Sequence, residues 1–178
     1  DRAPLEVLAW ALGASLTGSL DSKLRNEQGA TYGFQAHASS SRIDGTFFVG
    51  GSIARENASA TLGSLDALLR QAGTRLLSPA ELARAKKAAL VSISRTYETP
   101  HTAALALVDL VLEGEAHRGP LAEAILATTA EDVRRVAMTY VRPELAHVVV
   151  GSDEATVHAL QSPNPRAPAT PAEAPKAP

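Results

Sequence analysis

Two side chains with hydrogen-bonding chemistry to offer stand seven residues apart in the stretch Leu24-Arg25-Asn26-Glu27-Gln28-Gly29-Ala30-Thr31-Tyr32-Gly33. Arg25 carries a five-donor guanidinium and Tyr32 a phenolic hydroxyl. The pattern predicts Arg25 in the last turn of a helix, where its charge also complements the helix dipole. Gly29 lets the chain turn, and Tyr32 falls at the start of the strand that follows. A helix end and a strand start joined by a tight turn bring two side chains near each other. The same residues also fit a helix-capping Arg beside a Tyr at the edge of a core, and the local pattern leaves both readings open.

Other chemistry is hard to build from this sequence. The five histidines, His37, His101, His117, His147 and His158, show neither H-x-x-E-H nor H-E-x-x-H spacing. His101 is followed by Thr, Ala, Ala and Leu, with no carboxylate in helical reach. No zinc site is therefore expected within the chain. Without cysteine there is no thiol nucleophile, disulfide or Cys-ligated metal. No G-x-S-x-G elbow is present. The Gly50-Gly51 pair lies inside an expected strand and reads as a bulge or a close backbone approach.

The elements that must position Arg25 and Tyr32 follow from periodicity. Leu5, Leu8, Ala9 and Leu12 recur at helical spacing and Gly13 can end that helix. A second short helix is expected over Ser19–Gln28, with Leu16, Leu20 and Leu24 four apart. Tyr32, Phe34, Ala36 and Ala38 then alternate with Thr31, Gly33, Gln35 and His37, the period of a half-buried strand. Asp44-Gly45 signals the end of a turn over residues 39–45. Thr46–Ile53 completes an antiparallel hairpin. Helical segments follow. Ala58–Ala72 carries Leu62, Leu65, Leu68, Leu69 and Ala72 on one stripe. Ser78-Pro79-Ala80-Glu81 reads as a capping box with proline at the first position. The stripe behind it is Leu82, Ala85, Ala89, Ile93 and Tyr97. Pro100 breaks that helix before an apolar one over Thr102–Glu113. A short helix is expected from Gly119-Pro120 to Ala127. Another is capped by Thr129, with Val133, Val136, Ala137 and Tyr140 inward and Pro143 as its stop. Leu145–Val150 reads as a last, centrally buried strand. The fold class expected is α+β, a mainly antiparallel sheet with helices packed on one face.

Length and composition set the outer bounds. The 178 residues suffice for one core-bearing domain. Seventeen basic residues stand against nineteen acidic ones, and a net charge of −2 gives no electrostatic case for nucleic acid or an anionic membrane. No apolar run approaches the roughly 20 residues of a membrane span. From Ser162 onward the composition turns to Pro and Ala, which suits an extended, disordered tail. Residues 1–160 are thus expected to form the domain and 161–178 the tail. The chain opens at Asp1, without a Met, on a helical segment, which suggests a fragment lacking its amino-terminal part. Absent cysteine fits a periplasmic or secreted location, and a cytoplasmic one as well.

The Leu24–Gly33 stretch resembles the signature of the second half of pitrilysin/insulinase metallopeptidases, the inverted zincins, where a Leu-Arg pair leads through a Gly to a Tyr seven residues after the Arg. Leu12-Gly13 resembles the family's stop after its first helix. Ser78 to Lys86 resembles its Glu-Leu and Ala-Lys helix start. Thr129 to Val133, with Tyr140 and Pro143, resembles its last helix, and His147 to Gly151 its closing strand. The resemblance covers about residues 5–152. It departs at Gly13-Ala14, where the family often has Gly-Gly, and at Gly18-Ser19-Leu20, where it often has Ser-Arg-Leu. Both departures bear on loop geometry. The family's strand before the first helix has no counterpart here.

The resemblance implies a half-domain without metal. Zinc would sit in a catalytic amino-terminal half or partner subunit, on an H-x-x-E-H helix with a downstream Glu ligand. The two halves would close over a peptide substrate, as one polypeptide or two. Arg25 would donate to substrate backbone carbonyls, and Tyr32 would stabilise the oxyanion. Lys would not replace that Arg, because its geometry is not a fork. Two other readings remain: an inactive family member with a structural or assembly role, and a generic α+β binding module.

Overall fold

Ala3, Val7, Leu8, Ala9 and Leu12 lie on one side of an eleven-residue helix, α1 (Arg2–Leu12), and all five are buried. The spacing of three and four residues explains this, because it lines up one apolar stripe. The computed structural model describes residues 1–13, 31–40, 44–113, 120–146, 148 and 150–161. Its two compact units cover Asp1–Ala146 and His147–Pro178. The expected helix over Ser19–Gln28 and the tail from Ser162 lie outside the described residues.

In the first unit, strands β1 (Thr31–Ser40) and β2 (Gly45–Ile53) form an antiparallel hairpin. Phe34 and Ala36 are buried on the face that meets α1, while Gln35 and His37 on the other face are exposed. The period of two therefore holds along β1. On β2, Phe47, Val49 and Ile53 pack against the same core.

Helices α2 (Ala58–Thr74), α3 (Pro79–Arg95), α4 (Pro100–Glu113), α5 (Leu121–Ala127) and α6 (Ala130–Tyr140) follow. α1 is the hub: it touches β1, α3, α5 and α6, and α2 packs on α6. The core joins Leu8 to Leu68 of α2, Ala85 and Ala89 of α3, Ile125 of α5 and Val133, Val136 and Ala137 of α6. Gly73 lets α2 approach α6 closely, since a Cβ there would lie 3.3 Å from Met138 Cγ. This is the α+β arrangement expected, an antiparallel sheet with helices against one face.

Both capping boxes form. Ser78 Oγ accepts from the Glu81 amide and Glu81 accepts from the Ser78 amide at the start of α3. Thr129 and Asp132 do the same at the start of α6. Arg75 adds a bidentate pair to Glu81, at 2.8 and 2.9 Å. These hydrogen bonds from Arg75, aided by those from Ser78 and opposed by partial burial, lower the Glu81 carboxyl from 4.5 to about 2. A carboxyl depressed in the fold stabilises it above its unfolded value and loses that contribution as pH falls through the folded one. Glu81→Gln should therefore cost about 1 kcal/mol at pH 7, the modest worth of a surface-screened pair at a helix cap. The gap to wild type should close between pH 4.5 and 2. Urea denaturation across that range checks it, and a gap that persists unchanged at pH 2 would contradict it.

Three expectations fail, each for a physical reason. Tyr97 does not continue the stripe of α3, because that helix ends at Arg95 and Tyr97 is exposed. Tyr140 does not point into the core. It is the last residue of α6, and its hydroxyl donates to Asp1 Oδ2 at 2.7 Å while Arg135 holds Asp1 Oδ1 at 2.7 Å. The closing strand expected over Leu145–Val150 is not seen among its described residues. Leu145 ends a 3₁₀ turn (Pro143–Leu145), Val148 and Val150 have irregular backbone, and Leu145 and Val148 are exposed. An apolar run specifies burial but no ladder partner, and among the described residues the two strands pair only with each other.

The second unit holds one described helix that the sequence reading missed, α7 (Glu154–Gln161). Its signal was present: Asp153 Oδ1 accepts from the Thr156 amide, an N-terminal cap. No helix among the described residues is long and apolar enough to cross a membrane.

Candidate functional site

Tyr32 lies one residue into β1, at the strand's only break in register. Thr31 stands opposite Ile53 and Gly33 opposite Ser52, so two steps on β1 face one step on β2. Tyr32 is the extra residue of this bulge. A bulge bends the strand, raises its twist and re-aims a side chain, and such irregularities gather beside functional sites. The expectation that Tyr32 begins the strand holds for its backbone. Arg25 lies outside the described residues, so the spacing between the two side chains stays an inference from sequence.

The rest of the hairpin fixes this position from below. Phe34 and Ala36, two and four residues after the bulge residue, are 3% and 0% exposed against α1. A one-residue slip would turn both out to solvent, so the register that sets the bulge is held by burial. On the opposite face, His37 Nε2 lies 3.3 Å from Gln35 Oε1. Phe48, across from His37, is 56% exposed.

Gly50 has a side-chain reason to be glycine. A Cβ there would collide with Cζ of the Phe48 ring and lie 2.8 Å from its Cε1. Neither the bulge nor the close backbone approach expected at Gly50-Gly51 is found: pairing is regular there, what crowds Gly50 is the Phe48 side chain of the same strand, and the register break falls on β1. The motif Phe-x-Gly on a two-residue period was the available signal for this.

Among the described residues, no three of His, Asp and Glu gather closely enough to hold a metal ion.

The sequence pattern of the peptidase M16 inactive domain matches residues 1–89, half of the chain. The chain belongs to the peptidase M16 inactive-domain family. The matched span of this M16 inactive domain includes α1, the Leu24–Gly33 stretch, the hairpin and the first turns of α3. The pitrilysin/insulinase resemblance read from Arg25 and Tyr32 is therefore correct at the level of family. No curated protein matches the sequence. Solved structures share the fold. A protease from Helicobacter pylori aligns with a TM-score of 0.67 at 22% identity, over 80% of this chain and 35% of that one. The inactive peptidase domain of a candidate zinc protease from Bordetella parapertussis gives 0.67 at 21% identity, over 79% and 78%. A peptidase M16 inactive domain from Pseudomonas fluorescens gives 0.63 at 19%, over 76% and 33%. This M16 inactive domain thus spans about a third of the Helicobacter protease.

Proposed function

We propose that this chain is the non-catalytic half of a zinc metallopeptidase. It binds peptide and stabilises the oxyanion while hydrolysis takes place at a zinc held by a catalytic partner half, through an H-x-x-E-H helix. The observation that carries this reading is Tyr32 at a bulge, seven residues after Arg25, within the span matched by the family. The Bordetella and Helicobacter relatives are described as proteases, which supports it. In this reading the zinc belongs to the partner half, which membership of the inactive-domain family supports.

Each group has a separate task. Zinc, when bound in the partner half, supplies Lewis acidity and an activated water. The Tyr32 hydroxyl donates a hydrogen bond to the carbonyl oxygen as negative charge develops on it, an interaction that strengthens in the transition state. Arg25 donates in fork geometry to backbone carbonyls of the bound peptide before and during reaction. The bulge holds the strand start in a bend that regular pairing would not give.

Arg25→Ala separates binding from chemistry. In the assembled enzyme it should raise KM about tenfold, with a smaller fall in kcat, because its contacts are made in ground state and transition state alike. Zinc content should be unchanged. Steady-state kinetics on a fluorogenic peptide and elemental analysis test this. An unchanged KM would remove Arg25 from the substrate site.

A further inference from the structure

We draw no further inference here: the strongest candidate, the exposed apolar face of α4 formed by Leu105, Leu107, Val108, Val111 and Leu112, carries none, because nothing in the structure shows what covers it.

Discussion

Tyr32→Phe in the assembled peptidase should lower kcat at least tenfold, and by 10²–10³ if the hydroxyl is a principal oxyanion donor, the usual loss on removing one. KM should stay within about twofold. The substitution deletes a single oxygen and keeps the ring, so packing at the start of β1 changes little. The backbone that carries Tyr32 is set by the register of β1 and β2 and by burial of Phe34 and Ala36, none of which needs the hydroxyl. A loss confined to kcat therefore means an interaction made mainly in the transition state. A tenfold loss is about 1.4 kcal/mol and a thousandfold loss about 4 kcal/mol of transition-state stabilisation. If kcat stays within twofold while the assembly cleaves peptide, Tyr32 is a packing residue at the core edge.

Leu8→Ala should have the largest effect on stability. Leu8 is 1% exposed and sits on α1, the helix that touches the hairpin and three other helices. Truncating a buried Leu to Ala costs about 2–5 kcal/mol, from lost transfer free energy and the cavity left behind. That is a large share of a domain stability of about 5–15 kcal/mol. The midpoint of urea unfolding should fall with its slope unchanged. A loss below 1 kcal/mol would show that α1 is not the hub of this core.

Much of this was legible in the sequence because short-range rules decided it. The hairpin announced itself by alternation from Thr31 and by Asp44-Gly45. The starts of α3 and α6 were written in Ser78-Pro79-Ala80-Glu81 and Thr129-Ala130-Glu131-Asp132, each a local circuit of hydrogen bonds. The failures lie where a distant partner decides. Tyr140 keeps helical phase with Val133, Val136 and Ala137, yet its hydroxyl finds Asp1 at the other end of the chain. Leu145–Val150 has the composition of a buried strand, but no ladder forms on its described residues. α4 was rightly read as apolar, yet its Leu105, Leu107, Val108, Val111 and Leu112 are exposed, which periodicity alone did not reveal. For the candidate site, Tyr32 is singled out by its chemistry and by the family resemblance. Its bulge is not, because register depends on how two strands meet.

The most direct measurement mixes this chain with a separately expressed partner half that bears H-x-x-E-H and follows cleavage of a fluorogenic peptide library. Neither half alone should cleave at an appreciable rate, the mixture should cleave with one zinc per pair, and Tyr32→Phe in this chain should suppress the rate without releasing the metal. A zinc-bearing half that cleaves at the full rate without this chain would contradict the assignment of substrate binding and oxyanion stabilisation to it.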